Sequence, residues 1–213
     1  GLISFDGTTY GKSIKVASTG SQSIRVLADG TAGVSTISIS TLSGFSTTKS
    51  VTFYAKAAKT ITAAVANPVL GVGANAGAVS VTAVDANGTP WTGAAYIVAS
   101  SAADALVAGS ATTPVACAAW NSTDGILCPV TAIAAGTAKL KVIDASTVAA
   151  ATATSNEVTV TVSSAALSAV KIAFDKATYQ PYEKATITVT PVDASGNLLP
   201  AASRDNVLAT GGI

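Results

Sequence analysis

The 213-residue sequence contains no histidine and no methionine, and only 11% of its residues are charged. Without histidine there is no Ser-His-Asp or Cys-His catalytic arrangement, and no imidazole-based zinc site. An ordinary globular chain is roughly 25% charged. Here 12 Lys and Arg face 11 Asp and Glu, for a net charge of +1. So neutral a chain offers no basic stripe to nucleic acid and no polybasic segment to an anionic membrane surface. Lys and Arg are missing altogether from residues 60 to 138, which leaves trypsin-like proteases nothing to cut there. That gap agrees with an extracellular, protease-exposed address. Mean hydropathy is high at +0.51, yet no uninterrupted apolar run reaches the roughly 18 residues of a membrane span. The most apolar stretch, "GILCPVTAIAAGTAKL", is broken by Pro129, Thr131 and Gly136. No transmembrane helix is expected in this segment. A first residue Gly1, with no initiator methionine and no visible signal peptide, reads as a processed or truncated segment.

What fills the chain instead is Ala, Val, Thr, Ser and Gly, arranged in short alternating runs. Period-two alternation predicts strands with one buried face. "SVTFYAK" sets Val51, Phe53 and Ala55 against Thr52 and Tyr54, and "VSTISIS" places Ile37 and Ile39 together. "ITAAV" aligns Ile61, Ala63 and Val65, and "AVSVTAV" aligns Val79, Val81 and Ala83. "KLKV" puts Leu140 and Val142 inward, and "EVTVTV" does the same for Val158, Val160 and Val162. "AVKIAF" and "ATITV" repeat the pattern with Val170, Ile172, Phe174, Ile187 and Val189. Turn dipeptides such as Asn87-Gly88, Asp124-Gly125 and Ser195-Gly196 separate the runs. Only "SAADALVAG", Ser101 to Gly109, suits a helical turn. Many short strands and no long helical period predict an all-β, antiparallel sandwich.

The runs also recur. "AGVSTISI" from Ala32 matches "AGTAKLKV" from Ala135, and "TTKSVTFYA" from Thr47 matches "TSNEVTVTV" from Thr154. "VSVTAVDANG" from Val79 matches "ITVTPVDASG" from Ile187, so that Asp85 and Asp193 stand 108 residues apart. A unit of about a hundred residues is the size of one immunoglobulin-like sandwich. On this spacing residues 63–163 form a complete unit. Residues 1–62 match the C-terminal part of another, and residues 164–213 the N-terminal part of a third. The expected fold class is tandem immunoglobulin-like β-sandwiches of Greek-key type. The segments "NPVLGVGANAGAVSVTAVDANGTP" (67–90) and "DKATYQPYEKATITVTPVDASGNLLP" (175–200) resemble the bacterial immunoglobulin-like repeats of cell-surface, S-layer-like and adhesin proteins. In those repeats a Pro-Gly turn leads into an alternating strand that ends in Asp-x-x-Gly. Here that turn reads Val72-Gly73 in one copy and Pro181-Tyr182 in the other.

Few residues carry a chemical signal. Asp85 and Asn87 open like a calcium loop, but the twelfth position is Tyr96 where an EF-hand needs Glu. A tight turn capped by the Asp side chain competes with that reading. "GVGANAG", Gly71 to Gly77, has the wrong spacing for a dinucleotide loop and no β-α unit after it. Asp104 and Asp124 are not placed as the facing acids of a glycosidase. Cys117 and Cys128 flank "AAWNSTDGIL", and a hairpin there would bring them within disulfide reach, as expected in an oxidising compartment. Asn121-Ser122-Thr123 is an N-glycosylation sequon and makes Asn121 a candidate glycan site. Trp91 and Trp120 are candidate contact aromatics, with core-edge cover as the competing reading.

Charge is divided unevenly along the chain, with an excess of Lys and Arg in residues 1–62 and of acids in residues 63–163. Opposite signs on adjacent pieces favour a defined contact between them. Together these features predict a non-enzymatic structural protein of the cell surface, a subunit of an extracellular array that associates with like subunits. An adhesin stalk, a ligand-binding surface module contacting other surface proteins or glycans, and a non-catalytic module of a secreted enzyme are the alternatives. No cofactor is expected beyond a weak structural calcium. No nucleic acid partner is expected.

Overall fold

Alternating Val, Ile and Ala positions become strands nearly everywhere they occur. The computed structural model describes residues 1–17, 20–164 and 166–200. The expected third unit therefore falls outside the described residues from position 201 onward. In chain order the first strands are β1 (Leu2–Ser4), β2 (Arg25–Leu27), β3 (Gly33–Ser40), β4 (Ser46–Phe53) and β5 (Thr60–Val65). There follow β6 (Val69–Gly71), β7 (Gly73–Val84), β8 (Tyr96–Ala99) and one helical turn, α1 (Ala102–Ala105). The rest are β9 (Val115–Ala116), β10 (Ile126–Ala132), β11 (Gly136–Ile143), β12 (Val158–Ser163), β13 (Ala169–Phe174) and β14 (Ile187–Val192). The predicted helical turn is α1, where the Ser101 hydroxyl accepts the Asp104 backbone N–H.

Two sheets enclose the core. One has the order β10-β7-β5, the other β6-β12-β11-β8-β9. All pairings within them are antiparallel except that of β6 with β12. Ile61, Ala63, Val79, Val81, Ile126 and Val130 project from the first sheet, and Ile97, Leu140, Val142, Val158, Val160 and Val162 from the second. These are the inward positions of the alternating runs, which period-two geometry puts on one face. The core begins at Ala58, five residues ahead of the repeat boundary read from the sequence. The reason is local, since Lys59 already donates to the Val84 carbonyl and β5 pairs with β7 from Thr60.

The exposed edges are blunted by side chains. The Asn156 amide accepts the Ala63 N–H and donates to the Ala63 carbonyl, standing in for a neighbouring strand beside β5. On β10 the register shifts between Cys128 and Val130, at Pro129, which has no N–H to contribute to a ladder. Outside the two-sheet core lie three two-stranded ribbons, β1-β2, β3-β4 and β13-β14. Among the described residues no helix is long and apolar enough to cross a membrane.

Candidate functional site

The two Asp-x-x-Gly turns fold in the same way. Asp85 Oδ1 accepts the N–H groups of Asn87 and Thr89 at 2.8 and 2.9 Å, and its own N–H donates to the Thr89 carbonyl. Asp193 Oδ1 accepts the N–H groups of Ser195 and Asn197, both at 2.9 Å, and its N–H donates to the Asn197 carbonyl. Gly88 and Gly196 close the turns at φ +76° and +78°, a left-handed conformation that disfavours any side chain. Asp85 is 2% exposed and Asp193 3% exposed. Burial of a carboxylate requires hydrogen bonds to compensate it, and the turn supplies two of them.

The second carboxylate oxygen points elsewhere. Asp85 Oδ2 accepts the N–H of Ala55 at 2.8 Å, where the chain leaves β4. Asp193 Oδ2 accepts the N–H of Ser164 and the hydroxyl of Ser163, each at 3.3 Å, where the chain leaves β12. The far end of each linker is held as well. Lys59 N–H donates to the Val84 carbonyl at 2.8 Å, and Ser168 N–H to the Val192 carbonyl at 2.9 Å. Each short linker is thus anchored at both ends to the strand and turn that follow it.

Trp91 completes the first of these junctions. Its indole N–H donates to the Lys56 carbonyl at 3.2 Å, and its ring meets Tyr54 edge-on at 6.4 Å. The ring is buried, so the structure places Trp91 under the linker and away from solvent. Gly93 makes room for it, because a Cβ there would lie 2.3 Å from the ring. At the corresponding place after the second turn stands Leu199, also buried. The donors that surround both carboxylates are N–H groups and, at the second, hydroxyl and amide donors. A calcium ion needs the reverse, a shell of oxygen ligands. Among the described residues no three Cys, His, Asp or Glu side chains are grouped to hold a metal.

The remaining candidates are spread out. Cys117 and Cys128 form a disulfide with Cα atoms 4.1 Å apart. Cys117 follows β9 of the five-stranded sheet and Cys128 lies in β10 of the three-stranded sheet, so the bond ties the two sheets along one edge. Closing so short a loop contributes about 2–3 kcal/mol. At the tip of the intervening hairpin, Asn121 Oδ1 accepts the N–H groups of Thr123 and Asp124. Asn121 is solvent-exposed there, and Trp120 beside it is 49% exposed. Asp104 belongs to α1, where its carboxylate accepts the Lys139 N–H, far in the chain from the hairpin that carries Asp124. The Gly71–Gly77 segment runs from the end of β6 through Val72 into the start of β7, and the Asn75 amide pins it to the backbone of Gly71, Gly73 and Val130.

Several of the described carboxylates accept backbone N–H groups. N–H donors from Thr9 and Thr8 hold the Asp6 carboxyl well below its usual range. The Lys12 ammonium, the N-terminal ammonium and the Thr31 N–H do so for Asp29. The Ala55 N–H is the leading cause of the same shift at Asp85. At Asp193 burial opposes the charged form, but the donors from Asn197, Ser164 and Ser195 outweigh it and the pKa is again lowered. At Asp104 the Ser101 hydroxyl and the Lys139 N–H lower it. Each of these five carboxyls is held below its usual range, the reverse of the upward shift that suits a general acid. The apolar pocket beside β8 and β10, between Ile97, Val115, Pro129 and Leu140, is lined by no titratable side chain. Ion pairs among the described residues stay within one segment, as with Lys139–Glu157 and Lys176–Glu183, and none bridges the oppositely charged pieces. No family model and no curated protein matches the chain.

The linker anchors were not visible in the sequence because their donors are backbone N–H groups, which any residue other than proline provides. The one signal was the recurrence of Asp-x-x-Gly itself.

Proposed function

We propose that the chain is part of a structural protein of the cell surface, a subunit of an extracellular array such as a surface layer or filament. Its units are immunoglobulin-like sandwiches in tandem, and like subunits are its partners. The observation that carries this reading is the repeated junction: two turns 108 residues apart seize the preceding linker with the same atoms. The strand order supports the immunoglobulin-like assignment. β7 and β8 lie in opposite sheets, as do β10 and β11, which is the sheet-switching expected of a Greek-key sandwich. The extracellular address is supported by the inter-sheet disulfide, since such bonds persist where the surroundings are oxidising. No catalytic step is assigned, because the described carboxylates with shifted pKa values are engaged in turns, linkers and ion pairs. Electron microscopy of native envelope material labelled with an antibody to this chain tests the reading. Label on regular sheets or filaments is expected. Label confined to a monodisperse soluble species would overturn it.

A further inference from the structure

We infer that Asp85 and Asp193 are junction clamps that hold each unit at a fixed angle to the one before it, so that the array is a stiff rod with a constant rotation at every step. The inference rests on the tandem reading and adds the residues that set its geometry. Each clamp has two points. At the first, one carboxylate oxygen holds its own turn while the other holds the exit of the preceding strand, at Ala55 or at Ser163 and Ser164. At the second, the last strand carbonyl before the Asp, Val84 or Val192, accepts the N–H of Lys59 or Ser168. A linker anchored at one end could swing about that point. Anchored at both ends, with Trp91 or Leu199 buried just past the turn, it has little freedom to reorient. Because both junctions use corresponding atoms, both are expected to adopt the same angle. Flexible tandem domains are the default where the interface is small, and a buried carboxylate bridging turn and linker removes that default at little cost in area.

The clamp can be broken without breaking the turn. In Asp85→Asn the amide oxygen can still accept the Asn87 and Thr89 N–H groups, while the amide NH2 is left facing the Ala55 N–H, donor against donor. Ala55→Pro removes the same bond from the other side and leaves the carboxylate untouched. The measurement is NMR residual dipolar coupling on the whole chain, with alignment tensors fitted separately to residues 33–53 and 60–163. The unmodified chain should give one shared tensor. Both variants should keep the tensor of 60–163 and show a reduced, separate tensor for 33–53. Asp193→Asn should leave that first junction intact and loosen residues 169–192 instead. A shared tensor that survives in both Asp85→Asn and Ala55→Pro overturns the clamp while leaving the array reading in place. Envelope material without a regular lattice overturns the array reading and leaves the clamp, since the coupling measurement does not need assembly. Should Asp85→Asn disturb the core resonances, Ala55→Pro decides alone, because its residue lies outside the core.

Discussion

The hairpins β5-β7 and β13-β14 carry the same pattern and meet different fates. Ile61 and Ala63 of β5 are buried, whereas at the corresponding places on β13 Val170 is 37% exposed and Ile172 61% exposed. Both hairpins form the same antiparallel ladder and end in the same Asp-x-x-Gly turn. What differs is the opposite layer. The first hairpin faces the β11-β12 pair across the core, and the second has no such sheet among the described residues. Alternation therefore determines which side of a strand is apolar, and a second sheet determines whether that side is dry. Turn chemistry is independent of both, since the turn is complete in either setting.

The largest expected effect breaks the comparison at its core. Leu140→Ala removes a fully buried side chain from β11 and should destabilise the sandwich by about 2–5 kcal/mol. Ile172→Ala, on the uncovered hairpin, should stay within about 0.5 kcal/mol. Urea denaturation of both variants measures the difference. Equal losses would show that β13 is covered by a partner in solution.

Next in size is the sheet-to-sheet staple. Replacing Cys117 and Cys128 together by Ser should lower stability by about 2–3 kcal/mol, read as a fall in the urea midpoint. The loss should fall on the central sandwich, with the β13-β14 amide exchange rates unmoved. Faster exchange there would show that the two regions unfold as one.

Acid should act on the feature that the two regions share. The folded pKa values of Asp85, Asp104, Asp144 and Asp193 lie below the ordinary carboxylate value: the Ala55 N–H leads at Asp85 and the Ser101 hydroxyl at Asp104, while at Asp144 and Asp193 burial opposes the charge and donors led by the Thr152 hydroxyl and the Asn197 N–H outweigh it. In the window between the two values the unfolded chain binds more protons than the folded one, so stability rises with pH. The contribution is complete above about pH 4–5 and is lost as pH falls through the folded values. With no histidine in the chain, the melting temperature should be flat between about pH 6 and 8. A melting temperature that rises on acidification below pH 4 would refute the assignment of these carboxylates.

How much of this was legible in the sequence follows from what each feature depends on. The inward sets of β5, β7, β11 and β12 were readable because a two-residue period has only one buried solution. The Cys117–Cys128 pairing was readable from spacing, yet its role in joining two sheets depends on where β9 lies, and a two-residue strand leaves no pattern. Asp85 and Asn87 suggested calcium because Asp-x-Asn-Gly reads the same whether its oxygens meet a cation or backbone N–H groups. Trp91 suggested a contact surface because a single aromatic has no period to say which way it faces. The clamps at Ala55 and Ser164 were illegible for a different reason: their donors belong to the main chain and their partners lie about thirty residues away.

The smallest effect tests a difference between the copies that the sequence did display. The bend before β7 passes through Gly73 at φ +107°, and the matching bend before β14 passes through Tyr182 at φ +68°. Tyr182 is the only non-glycine residue with positive φ among the described residues, and its side chain is fully exposed. It therefore bears the steric cost of a left-handed backbone without any burial to offset it. Tyr182→Gly should relieve that cost, less the extra freedom glycine gains in the unfolded chain, for a net stabilisation of about 0.5–1 kcal/mol. The reverse change in the other copy, Gly73→Ala, should destabilise by a similar or larger amount, because its φ lies further from any conformation open to alanine. Amide exchange at β14 and β7 reads the two effects separately. If Tyr182→Gly weakened β14, the tyrosine would be holding a contact of its own, and the bends in the two copies would differ in kind.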